Sequence, residues 1–290
     1  MMVCVTAHVQ MVEPLPRGQL RGTKRAPTVQ AVDPAAPVDF FAFFPAGDKN
    51  PKPGSGKRSQ QKAAKTWKVF DPMQKGFPWR AGICGDLKNQ RPQEHKRGGR
   101  YYHGGMIAKT YKAGSVIDLK LSMNQNHNGY FVFHVCNVDK CGGEIATTCF
   151  HNGACRRLER ARTHLCDRRR TKLCGPIDRN HKDRWYLPCA KNAVRPSGID
   201  NYGFKKEVRY RLPDRFTCDH CVLHFYYTSA NSCLPPGTAE YFTGPDKPSW
   251  GKCRGESGAI GQFVAHGRTC GGKEFSEEYY NCADIRILPR

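Results

Sequence analysis

With 290 residues, 39% of them hydrophobic, the chain has enough apolar side chain for one sizeable domain with its own core. A formal net charge of +22 points to a solubilising or acid-seeking surface and by its sign alone names no partner. No apolar run approaches the roughly eighteen residues of a membrane-spanning helix, and no hydrophobic anchor tail follows, so spanning functions are excluded and no membrane partner is expected.

The first segment in chain order is the short apolar opening Met1–Ala7. Fifteen cysteines would be unusual in a reducing compartment, where free thiols are reactive, so a secreted, disulfide-bonded protein is predicted. Cys4 lies in this opening, and without it an even number of cysteines remains that can pair completely. Val5 and Ala7 are small residues at the places a signal peptidase reads. Residues 1–7 therefore read as the remnant of a truncated signal peptide, and residues 8–290 as a single domain that begins at His8.

Residues 8–81 show little periodicity and many prolines, with aromatics at Phe40, Phe41, Phe43, Phe44, Trp67, Phe70, Phe77 and Trp79. Long loops with short strands are expected there, and Pro51–Lys62 reads as a linker-like loop. From Ser115 the pattern changes: Ile117, Leu119, Leu121 and Met123 alternate with Asp118, Lys120 and Ser122, the period of a half-buried strand. The segment 129–138 (GYFVFHVCNV) follows. Basic residues concentrate in Lys52–Lys68 and again in Arg156–Lys172, and the second run, bracketed by Cys149, Cys155, Cys166 and Cys174, reads as a stapled surface loop. The oxidising compartment argues against a nucleic-acid partner for either run. Val208, Tyr210 and Leu212 alternate with Glu207, Arg209 and Arg211; the run CVLHFYY begins at Cys221; Ala283, Ile285 and Ile287 close the series. Together these predict a mainly β chain, an antiparallel β-sandwich of immunoglobulin-like or fibronectin-like build with long disulfide-stapled loops and minor helix.

Of eleven histidines, two have a chemical reason to be singled out. His8, as a first residue, would offer both its α-amine and its imidazole. His127, in NHNGYF, sits between a strand ending at Gln125 and one starting at Gly129, which presents its ring at a sheet end. An amine and two imidazoles around one ion suit copper, because Cu(II) favours tetragonal nitrogen sites whereas zinc prefers a tetrahedron and often thiolates. A free α-amine has a pKa of about 8 and gives up its proton to a metal near neutrality. Taken singly, His127 reads as readily as a surface turn histidine, and His8 alone is no stronger. Cys218 and Cys221, in CDHC beside His220, have zinc-ligand spacing, but no second CxxC accompanies them and a disulfide is preferred. Neither GxSxG, GxxxxGK[ST] nor a GxGxxG after a strand occurs, so acyl and phosphoryl chemistry lack support. Glycoside hydrolysis needs only two carboxylates and stays open.

The runs HVQMVEPLPRGQLRG from His8, GICGDLKN from Gly82, GGRYYHGGMIAKTYKAGSVIDL from Gly98, NHNGYFVFHVC from Asn126, CGPID from Cys174, RWYLPC from Arg184, YRLPDRFTCDHCVLHFYY from Tyr210 and EEYYNCADIRI from Glu277 give the chain a family likeness. It resembles the lytic polysaccharide monooxygenases of invertebrates, the fifteenth auxiliary-activity family, with its chitin-binding type-4 domain. The resemblance implies a copper oxidoreductase with His8 as a bidentate N-terminal ligand, His127 as the second histidine and Tyr279 in the axial position. Tyr279 is chosen over Tyr280 because it shares strand parity with Ala283, Ile285 and Ile287 unless a bulge intervenes. His224 and Tyr226, which share a face with Val222, are candidates for a polar group near the metal, although relatives more often carry glutamine at the place of His224. Residues 23–80 depart from the family's pattern, and the cluster Phe40–Phe44 fits either a substrate face or the core. The implied activity is oxidative cleavage, at C1 or C4, of glycosidic bonds in an insoluble polysaccharide, chitin or cellulose. It would use oxygen or hydrogen peroxide and an external small-molecule or protein reductant, in a secreted monomer. The alternative is a noncatalytic polysaccharide- or matrix-binding module on the same scaffold.

Overall fold

The computed structural model describes residues 9–17, 69–79, 81–86, 91–123, 128–162, 175–187, 204–230, 233–245, 269–271, 276 and 278–290. Met1–Ala7, His8, His127, the cluster Phe40–Phe44, the run Lys52–Lys68 and the part of Arg156–Lys172 beyond Arg162 lie outside them. The strands are β1 (Val9–Glu13), β2 (Lys109–Lys112), β3 (Val116–Met123), β4 (Tyr130–Asn137), β5 (Cys155–Arg157), β6 (Glu159–Arg160), β7 (Trp185–Tyr186), β8 (Phe204–Arg211), β9 (Cys218–Thr228) and β10 (Glu278–Leu288), with a short helix α1 (Thr238–Thr243). One sheet has the order β1-β3-β8-β6, and the other β2-β10-β9-β4-β5 with β7 also on β4. Among the described strands all pairings are antiparallel except β2 against β10, which is parallel. The expected sandwich is thus present, with one parallel edge.

Strand alternation explains what lies between the sheets. Ile117, Leu119 and Leu121 of β3 and Val208 and Tyr210 of β8 meet Phe131, Phe133 and Val135 of β4, Leu223, Phe225 and Tyr227 of β9, and Tyr279, Ala283 and Ile285 of β10. Strand β4 is buried on both faces, and so is β9 from Cys221 onward. The segment 69–86 and the 3₁₀ turn Thr147–Phe150 cover the outer side: Phe77 lies 5.6 Å from the ring of Tyr226, and Trp79 lies 5.0 Å from Phe150, 5.8 Å from His224 and 5.8 Å from Tyr280. A sheet covered on both sides needs no polar alternate, which is why GYFVFHVCNV and CVLHFYY read as continuous apolar runs.

Cysteines staple this cover in place. Disulfides join Cys84 to Cys282, Cys136 to Cys155, Cys141 to Cys149, Cys218 to Cys221 and Cys233 to Cys270. The CDHC pair is therefore a disulfide, as preferred. For the described opening of the second basic run the stapled-loop reading is revised, because Cys149 and Cys155 both bond upstream and the run begins with β5 and β6; Cys166 and Cys174 lie outside the described residues. Short strand pairing overrides a loop there, since Arg156 and Arg157 have outward positions on an edge strand against β4.

Arg17, just beyond β1, is wholly buried. Its guanidinium donates to both carboxylate oxygens of Asp284 at 2.7 and 2.8 Å and to the His95 carbonyl at 2.6 Å, and it stands 4.9 Å over the Tyr102 ring. Glu144 lies 3.3 Å away, and Nε2 of His220 is 2.7 Å from Asp284. Burial pushes the Asp284 carboxyl up, but the bonds from His220 and Arg17 more than offset it and hold it below the usual carboxylate range. Replacing Asp284 by Asn takes from a buried cation the carboxylate it grips with two bonds, and Asp284→Asn is expected to cost about 3–5 kcal/mol in urea unfolding with disulfides intact. Because the folded pKa is depressed, this contribution is present above about pH 4 and is lost as pH falls further.

On the outer face of the same sheet, His134 of β4 and His224 of β9 stand opposite each other, Nδ1 to Nδ1 at 3.2 Å and with no exposure to water. One ring must donate and the other accept, so the two cannot both be charged. Burial, aided by the charge of Arg157, pushes His134 down to about 3, and burial with the neighbouring His134 holds His224 well below the ordinary histidine range. The folded form thus resists protonation while the unfolded chain takes protons near pH 6.5. Stability from this pair is complete above about pH 6.5 and falls away toward pH 3, at up to about 1.4 kcal/mol per pH unit for each ring. Urea midpoints measured across that window are expected to fall with pH, and His134→Gln, which removes one titrating ring, to flatten the slope; an unchanged slope would assign the acid sensitivity to other groups.

Candidate metal centre

Three passages of chain meet at one end of the sandwich. Val9, the first residue of β1, pairs with Met123, the last of β3. Tyr130, the first residue of β4, pairs with Thr228, the last of β9, and Thr228 also faces Glu278, the first residue of β10. A bond of 2.9 Å from the Met11 amide to Oδ1 of Asn281 ties β1 to β10 across the two sheets. The described neighbours of His8 (Val9) and of His127 (Asn128) therefore share this end with the start of β10. His8 and His127 themselves lie outside the described residues.

Tyr279 is the described member of the expected donor set. It is buried on the core face with Ala283 and Ile285, as strand parity predicts, and the register shift in β10 falls only between Ile285 and Ile287. Its ring lies 5.2 Å from that of Tyr227, its partner on β9. Tyr280 packs on the opposite face. Among the described residues no group of three or more His, Cys, Asp and Glu side chains could hold a metal ion.

His224 and Tyr226 do not join Tyr279. Alternation along β9 sends Leu223, Phe225 and Tyr227 to the inner core and His224 and Tyr226 to the outer face, beneath Trp79 and Phe77. Both pack in the outer layer, on the face of β9 opposite Tyr227 and Tyr279. Tyr226 instead donates to Oε1 of Glu278 at 2.8 Å, while Tyr280 donates to Oε2 at 2.9 Å. Burial first, and the Glu278 charge second, push the Tyr226 phenol well up, which keeps it a donor. Both hydroxyls thus grip a buried carboxylate directly before Tyr279.

Sequence reasoning missed Tyr227, whose hydroxyl donates at 2.6 Å to the carbonyl of Asn128. Asn128 has φ 55° and Gly129 φ 79°. The Asn-Gly dipeptide after His127 is the signal that marks this left-handed turn. Nothing in the pattern of β9 distinguishes Tyr227 from the apolar residues that alternate with it.

An AA15 lytic polysaccharide monooxygenase of Thermobia domestica, solved in the Cu(I) state, is similar over 71% of this chain and 75% of its own, with 24% identity and a TM-score of 0.41. A chitin-binding domain of Burkholderia pseudomallei aligns with 98% of this chain and 100% of its own, at 10% identity and a TM-score of 0.35. No curated protein matches the sequence. The model of a family described as lytic polysaccharide mono-oxygenase, cellulose-degrading, matches residues 8–285, from the first candidate ligand into the last strand. With almost the whole sequence inside that match, the chain belongs to the lytic polysaccharide mono-oxygenase family.

Proposed function

We propose that this protein is a secreted, copper-dependent oxidase of an insoluble polysaccharide, chitin or cellulose. The observation that carries this reading is that the family match opens at His8 while the described neighbours of His8 and His127 share one end of the sandwich with Tyr279. The donor set fits copper: one amine, two imidazoles and a buried phenol, without thiolate, since every described cysteine is in a disulfide. His8 would hold the ion through its α-amine and ring and His127 through its ring, with Tyr279 beneath. Bound copper would supply the one-electron chemistry by which an external reductant activates oxygen or hydrogen peroxide against a glycosidic C–H bond.

The protein's own part is positional. The tyrosine grip on Glu278 and the β9–β10 ladder fix the start of β10, so the Tyr279 phenol closes the core side and water is kept from it. The open side is left to the substrate, whose approach needs a free edge of the sandwich rather than a deep cleft.

The test uses protein whose first residue, checked by mass spectrometry, is His8. Tight Cu(II) uptake is expected by calorimetry, with oxidised oligosaccharides released from chitin or cellulose only when reductant is added. His127→Ala is expected to lose more copper affinity than the roughly 10- to 100-fold typical of an outer partner, and one extra residue ahead of His8 to abolish turnover. Polysaccharide binding that needs no copper and yields no oxidised product would establish a noncatalytic binding module instead.

A further inference from the structure

We propose that Tyr227 is a positioning residue for the metal centre, acting through the backbone of Asn128 on the passage that carries His127. The inference rests on the copper reading above. Asn128 is a buried residue in the left-handed region, which an asparagine tolerates but which only its surroundings select over the commoner conformations. Gly129 follows in the same region, and a Cβ there would run into the Thr228 carbonyl and Ser229. Two contacts then lock the turn: the Tyr227 hydroxyl on the Asn128 carbonyl at 2.6 Å and the Leu187 amide on the Gly129 carbonyl at 3.0 Å.

Tyr227 also touches the other side of the centre. Its ring packs 5.2 Å from that of Tyr279 within the inner core. One wholly buried side chain therefore spans from the expected axial phenol to the residue beside the expected second histidine. A ring in that place sets the separation of Tyr279 and Asn128, and its hydroxyl fixes the Asn128 carbonyl. Metal ligands held by such outer hydrogen bonds are oriented before the ion arrives.

The substitution Tyr227→Phe removes the hydroxyl and keeps the ring. In the full chain it is expected to lower Cu(II) affinity about 10- to 100-fold in competition titrations, to alter the Cu(II) electron paramagnetic resonance spectrum, and to speed exchange of the Leu187 amide in copper-free protein. Tyr210→Phe is the matched control, because the buried Tyr210 hydroxyl likewise donates to a carbonyl, that of Asp183 at 3.1 Å; it should leave affinity and spectrum unchanged. An unaltered affinity and spectrum in Tyr227→Phe, or an equal change in Tyr210→Phe, overturns the proposal. Should the wild-type chain take up no copper, the functional reading fails and the positioning role falls with it; Leu187 exchange, read without metal, separates that failure from a turn that Tyr227 never held.

Discussion

A guanidinium sealed from water is the constraint around which this molecule is arranged. Bringing Arg17 and Asp284 out of solvent carries a desolvation cost of several kcal/mol per ion, tolerable only when geometry and hydrogen bonds are nearly complete. Here two parallel bonds to one carboxylate, a carbonyl, a second carboxylate and an aromatic face meet that requirement. The consequence is positional: the tail of β1 is fastened to the middle of β10, where Cys282, two residues away, is bonded to Cys84. The passage leading from His8 and the strand bearing Tyr279 are thereby fixed relative to each other, with the Met11–Asn281 bond as a second fastening.

Much of the fold was legible wherever one face of a strand meets water. Ile117, Leu119 and Leu121 gave β3, and Val208 and Tyr210 gave β8, because their alternates point outward. That Tyr279, and not Tyr280, lies on the inner core face could be read from parity alone, since β10 has no irregularity before Ile285. Strand β9 was harder. The common face of Val222, His224 and Tyr226 was readable, but with both faces of the strand buried from Cys221 onward the sequence carries no mark of which one looks toward the site. Arg17 was lost among 47 lysines and arginines, because a buried cation is identified by its partners, and Asp284 lies 267 residues away. Short strands such as β2, and the choice of Cys141 for Cys149, depend on contacts that spacing does not encode.

Adjacent tyrosines on β9 illustrate how a two-sided sheet serves one end of a sandwich. Tyr226, on the outer face, reaches the start of β10 through Glu278, and Tyr227, on the inner face, reaches the start of β4 through Asn128. Neither hydroxyl needs to approach an ion to matter. Each holds the residue next in sequence to an expected ligand, so rigidity comes from aromatic groups that are themselves immobilised by packing.

The location of β10 between β2 and β9 has a consequence for biogenesis. Residues 109–112 have their parallel neighbours at 285–288, so β2 cannot join the six-stranded sheet until β10, the last strand in the sequence, has been made, although β4 can pair with β5 and β9 before then. A pairing between segments this far apart in sequence is among the slowest steps of folding. Premature termination upstream of Glu278 would therefore leave β2 without its parallel neighbour and β9 with an open edge.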